Sequence, residues 1–191
     1  MTMKRGIAIV SIAIVLTAVF AVGVFAATQP FGDAKQVQTG PSECAIRLTS
    51  ATTQPGYGGV SFTLPAGTTV SSITSLTADF KASACAGGSP RFSIGTASGN
   101  IFVYLGDLPN FTCSTARQQT GNLLATNDLR VDTSQVGGTF YDTWAHAVAL
   151  VGSQAVTGVD FVVDSGWAVP GGTQTVDVYS VTVNDQLVQR A

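Results

Sequence analysis

Residues 91–105 read RFSIGTASGNIFVYL, and their pattern sets the fold class. In residues 91–95, Phe92 and Ile94 fall on one side of an extended chain, because side chains alternate across a strand. Residues 101–105 are apolar on both sides, the pattern of a strand covered on both faces. Ser98-Gly99-Asn100 between them is turn chemistry. Two short apolar runs around such a turn read as a β-hairpin.

Just beyond the hairpin lie Cys85 and Cys113. Pairing of the two runs brings the open end together, so a Cys85–Cys113 disulfide is expected. Closing a loop of that length would stabilise the fold by about 3–4 kcal/mol through the unfolded state. Cys44 is left over, either buried and inert or bridged to one of the others. The chain has no Cys-x-x-Cys, and His146 is its only histidine, which argues against a zinc site.

The same grammar repeats outward. Ile46 and Leu48 alternate with Arg47 and Thr49. Val60, Phe62 and Leu64 form a second face, Leu76, Ala78 and Phe80 a third, and Val159, Phe161 and Val163 a fourth. Residues 175–184 are rich in β-branched side chains, and 121–125 and 129–131 are weaker strand candidates. One stretch has the helical period: Trp144, Ala147, Val148 and Val151 at i, i+3, i+4 and i+7. Asp142 is placed to cap it and Gly152 to end it. Eight or more short strands, one short helix and no βαβ alternation predict an all-β, jelly-roll-like β-sandwich over residues 44–191. Residues 27–43 lack a period and read as a linker.

Composition narrows the function. The chain has 191 residues, of which 10% are charged, against roughly 25% in typical soluble domains. That excludes a basic nucleic-acid module, a coiled coil and a charge-rich disordered tail. Ten of the eleven acids are Asp. This is the composition of turn punctuation, with calcium ligation as the alternative. Lys4 and Arg5 precede the charge-free residues 6–27, so residues 1–26 read as a signal peptide cut after Ala26 or as a retained membrane anchor. Either way the remainder is exported, to a secreted or cell-surface location. Without Lys4 and Arg5 it carries seven bases against eleven acids, a net charge of −4.

Catalytic patterns are sparse. His146 has no Gly-x-Ser-x-Gly elbow to serve. Asp160 and Asp164, like Asp128 and Asp132, are four apart, about 13 Å along a strand. A glycosidase pair needs roughly 5–9 Å. No enzyme is expected. Trp167 stands between Ser165-Gly166 and Pro170-Gly171-Gly172, on a loop joining the last two strands, and is the first candidate for a ligand platform. Tyr141 and Trp144 are further stacking candidates that read otherwise as core. Asn110-Phe111-Thr112 is a glycosylation acceptor pattern.

Two resemblances extend this reading. Residues 174–184, QTVDVYSVTVN, resemble the closing strand of galactose-binding-like jelly rolls, a family that includes many carbohydrate-binding modules of secreted glycosidases. The resemblance implies carbohydrate binding, and a structural calcium ion held in part by Asp177. Val178 stands where that family usually has a polar residue. The N-terminal KRGIAIVSIAIVLTAVF is similar to class III signals of archaeal pilins and archaellins. That implies cleavage after Gly6 and an apolar helix packed in a filament. The expected function is therefore a non-catalytic extracytoplasmic domain that binds carbohydrate or another surface polymer. The alternative is a self-assembling filament subunit. No nucleic-acid partner is expected, and membrane contact only through the N-terminal segment.

Overall fold

Alternating apolar faces must be buried against one another, and here they close as two antiparallel sheets. The computed structural model describes residues 28–53, 56–108, 111–184 and 186–188. Its strands are β1 (Thr28–Gly32), β2 (Ala34–Gly40), β3 (Glu43–Ala51), β4 (Gly58–Phe62), β5 (Leu76–Ala82), β6 (Arg91–Thr96), β7 (Gly99–Tyr104), β8 (Gln118–Gln119), β9 (Val131–Asp132), β10 (Val156–Val163), β11 (Thr173–Val183) and β12 (Gln186–Val188). The helix α1 (Trp144–Val151) lies between β9 and β10.

One sheet runs β1-β4-β10-β6-β7-β9, the other β2-β3-β11-β5-β8, with β12 on β11. Number β3, β4, β5, β6, β7, β8, β10 and β11 from one to eight. The two sheets then contain the orders 2-7-4-5 and 1-8-3-6, the alternation between sheets that defines a jelly roll. The chain is thus an all-β sandwich with one short α-helix among the described residues. No helix among them is long and apolar enough to cross a membrane. The apolar N-terminal segment, on which both the export reading and the filament reading rest, lies outside the described residues.

The core follows the expected faces. Phe92, Phe161, Val60 and Ile94 from one sheet meet Leu48, Leu76, Phe80 and Val176 from the other, all essentially without solvent exposure. Phe92 and Phe161 meet edge to face at 5.3 Å, a favoured geometry for paired rings. In β11 the register against β5 shifts between Val178 and Ser180. This bulge lets Val181 and Val183 join Val176 and Val178 in the core, although strict alternation would turn them outward. The hairpin of β6 and β7 forms as read, and Cys85 is bonded to Cys113 with Cα atoms 5.3 Å apart. Cys44 is free and half-buried.

Three local readings are corrected. The linker expected over residues 27–43 is not what the described part of it, residues 28–43, forms: β1 adds to the edge of one sheet and β2 to the edge of the other. The chain crosses at Gly32, whose φ of 62° suits glycine. Asp33 fixes the crossing by donating its N–H to Tyr57 (2.8 Å) and accepting from Thr49 (2.9 Å). A chain serving two sheets in turn shows no single period. Residues 121–125 form a turn whose Leu123 and Leu124 are buried, and of 129–131 only Val131 enters a strand. The cap of α1 is Thr143, not Asp142: its hydroxyl accepts from the His146 N–H.

Replacing Cys85 and Cys113 together by serine is expected to lower the free energy of unfolding by about 3–4 kcal/mol, since the bridge closes 28 positions. Urea unfolding under non-reducing conditions measures this. A loss below about 1 kcal/mol would show that the bridge does not constrain the unfolded chain.

Candidate functional site

The outer side of the first sheet gathers polar and aromatic side chains. Arg91 on β6 lies opposite Tyr104 on β7 and Val162 on β10, so Arg91, Tyr104 and Phe102 share one face. Asp164, just past β10, joins them. The Arg91 guanidinium donates from Nη1 to Asp164 Oδ1 (2.6 Å), from Nη2 to Oδ2, and again from Nη1 to the Gly88 carbonyl (3.2 Å). It also stacks 4.9 Å from the Phe102 ring centre. The Tyr104 hydroxyl donates to Asp132 (3.1 Å). Burial, reinforced by the Asp132 carboxylate, pushes the Tyr104 phenol well above its ordinary range, so it remains a neutral donor. Gly88, with φ of 75°, packs directly on the Tyr104 ring, where a Cβ would come within 2.6 Å.

Trp167 stands over this arrangement. It sits in a 3-10 turn (Gly166–Ala168) and is 71% exposed. The base of the turn is buried and bonded: Gly166 donates to the Ser50 hydroxyl (2.8 Å), and the Ser165 hydroxyl donates to Gly87 O (3.0 Å). The indole therefore projects from a fixed support. Between Trp167, Arg91, Phe102, Tyr104 and Asp164 lies an open cleft of about 210 Å³.

An aromatic cluster continues from the cleft. Tyr104 meets Phe111 (4.4 Å) and Phe140 (5.7 Å), and Phe111 stacks on Tyr141 at 5.6 Å and 19°. Phe140 and Tyr141 meet edge to face at 4.7 Å. Tyr104 and Phe111 are buried, whereas Phe140 and Tyr141 are 45% and 47% exposed. The exposed pair thus rests on a rigid aromatic floor.

Ring contacts through the buried Tyr104 and Phe111 thus link the Trp167 cleft to the exposed Tyr141. Trp144 does not belong to this network: the ring is 9% exposed and packed in the core, because the helical face that carries it turns inward. Asp177 lies on the other sheet and is gripped by Arg47, with Nε to Oδ1 at 2.6 Å and Nη2 to Oδ2 at 2.8 Å. A cation on both carboxylate oxygens does not fit a calcium ligand. No group of three or more His, Cys, Asp or Glu able to hold a metal occurs among the described residues. Asn110 lies outside the described residues. Phe140, Phe111, Tyr104 and the Arg91–Asp164 pair were not singled out by sequence. Gly137-Gly138-Thr139-Phe140-Tyr141 did carry a signal, adjacent aromatics in a turn-rich stretch. The ion pair carried none, since it joins positions 73 apart.

The paired aspartates have separate tasks. Asp160 accepts from Ser61 (2.6 Å), Asp128 from Arg130 (2.7 Å) and Asp132 from Tyr104. His146 Nδ1 lies 2.7 Å from Asp142 Oδ2, an acid–base pair in outline. The Thr133 hydroxyl, however, bonds the Asp142 carboxylate and not the imidazole, so the order nucleophile, base, orienter is not formed. No protein-family model matches the chain, and neither does any curated protein or solved structure.

Burial alone would raise the Asp142 carboxyl, but the Thr133 hydroxyl, the Thr143 N–H and His146 together hold it below the usual carboxylate range. A depressed folded pKa contributes stability that is present above the unfolded value, near 3.9, and is lost as pH falls through the folded one. Asp142→Asn is accordingly expected to cost about 1–3 kcal/mol at pH 7. The gap to wild type should narrow below about pH 4. Urea unfolding at both pH values checks this, and a gap that does not change with pH would refute it.

Proposed function

We propose that this protein is a non-catalytic, extracytoplasmic binding domain that takes a carbohydrate or another polyhydroxylated surface polymer on the Trp167–Tyr141 face. The observation that carries the reading is the exposed Trp167 indole, fixed at its base beside the polar Arg91–Asp164 pair. A sugar ring offers an apolar C–H face and a rim of hydroxyls. Aromatic rings take the first, and a planar guanidinium–carboxylate pair takes the second through charge-assisted hydrogen bonds. The cleft, about 210 Å³, is smaller than the roughly 300–1,000 Å³ of a typical small-molecule pocket. It suits one ring of a longer chain whose neighbours run over Phe140 and Tyr141. The disulfide supports an oxidising compartment, in line with the export signal in the sequence. The separate partners of Asp128, Asp132, Asp160 and Asp164 support a binding role over glycoside hydrolysis.

Trp167→Ala is expected to weaken retention on an immobilised polysaccharide bound by the wild type by tenfold or more, as loss of about 2 kcal/mol of aromatic contact implies. Its melting temperature should stay within about 2 °C. The panel would include cellulose, chitin, xylan and mannan. Wild-type retention by the variant, or absence of retention of the wild type on every polymer, contradicts the proposal.

A further inference from the structure

The outer side of the second sheet carries a cleft of different chemistry. Cross-strand register sets Lys35, Arg47, Asp177 and Lys81 in one row over β2, β3, β11 and β5. Directly opposed residues share a face with Cβ atoms about 4.5–5.5 Å apart, so Arg47 and Lys81 flank Asp177 on its two sides and Lys35 follows beyond Arg47. Both oxygens of that carboxylate accept from Arg47 Nε and Nη2. Arg47 Nη1 and the exposed Lys81 ammonium have no partner among the described residues. The other acids of this face, Asp79 and Glu43, are both held by Arg117. A local surplus of positive charge thus stands on a chain whose net charge is −2.

A cleft of about 250 Å³ opens at this row, lined by Arg47, Lys81, Ser83, Thr115, Thr175 and Asp177. Thr115 closes one side, two residues beyond the disulfide at Cys113, so the bridge tethers that wall. The Ser83 hydroxyl accepts the Thr175 N–H (3.0 Å) and keeps its own proton to donate. The cleft therefore converges N–H and O–H donors, two of them charged, while its one carboxylate is already engaged. Tetrahedral or planar oxyanions are recognised by such sets, with arginine supplying directed donors and lysine a point charge.

We propose that this cleft binds an oxyanion group, a sulfate, phosphate or carboxylate. It lies on the sheet opposite the aromatic face, and the proposal stands independently of the function assigned to that face.

The test uses the full chain at low ionic strength, where surface charges are least screened, with three probes: sodium sulfate, dextran sulfate and neutral dextran. Binding is followed by calorimetry and by backbone amide shifts. Dextran sulfate should bind and neutral dextran should not, with shifts centred on residues 81–83, 115 and 175. Lys81→Gln should weaken binding about fivefold, the upper range for an exposed charge, and Thr115→Val about twofold through one lost hydroxyl. Trp167→Ala should leave it unchanged. Equal site occupancy by sodium sulfate and dextran sulfate at matched sulfate concentration would assign the site to the free ion. Stronger polymer binding would assign it to a pendant group. Wild-type affinity in Lys81→Gln, or a loss in Lys81→Gln without any in Thr115→Val, would show diffuse charge attraction and overturn the proposal.

Discussion

Gln174 is the buried polar residue on which the polar edge of the Trp167 cleft depends. It has no solvent exposure, so each of its polar atoms must find a partner inside the protein. The side-chain Nε2 donates to the carbonyls of Ala84 and Ser89, both at 2.9 Å, and Oε1 accepts from the Ser89 hydroxyl at 2.8 Å. The Ser89 oxygen in turn accepts the Asp164 N–H (3.2 Å), and Asp164 grips Arg91. One side chain on β11 thus fixes the turn that carries Cys85 and Gly88, and through it the polar edge of the cleft. A satisfied amide of this kind costs little to bury, whereas removing either partner leaves groups stranded at about 1–3 kcal/mol each.

The sandwich supplies two outer faces, and the sequence gives them opposite characters. One sheet presents rings, with Arg91 and Arg130 each paired to a carboxylate and Asp132 and Asp160 held by hydroxyls. The other presents a row of cations with one carboxylate among them. Both clefts have a floor of strand residues and are bordered on one side by a loop: Ser165 and Trp167 at the first and Thr115, after Cys113, at the second. Both borders are tied down, by Ser50 and Ser165 in one case and by the disulfide in the other. Prior ordering of a loop lowers the entropy lost on binding, which is the physical reason to look for ligands at these two places.

Strand alternation and turn chemistry made much of the fold legible. The β6–β7 hairpin, the inward faces of β4, β5 and β10 and the Cys85–Cys113 pair follow from local pattern, because each depends on residues close in sequence. Trp167 was readable as a loop aromatic for the same reason. The failures share a different cause. Residues 28–43 change sheets at Gly32, so no one face repeats. Trp144 and Trp167 look alike in composition, and only packing of α1 separates the core ring from the exposed one. Asp177 reads as an isolated acid until register sets it opposite Arg47. The Arg91–Asp164 and Gln174–Ser89 contacts join distant positions and leave no local trace.

The proposed function requires that ligand cover the exposed, pre-positioned Trp167 while Trp144 stays in the core. Acrylamide quenching of tryptophan emission separates the two rings directly. In the free protein one emitting fraction should be readily quenched and one protected. A polysaccharide that retains the protein should convert the accessible fraction to a protected one and leave the other unchanged. Trp167→Phe should remove the accessible fraction altogether. An accessible fraction that persists under saturating polysaccharide, or that survives Trp167→Phe, would contradict the account.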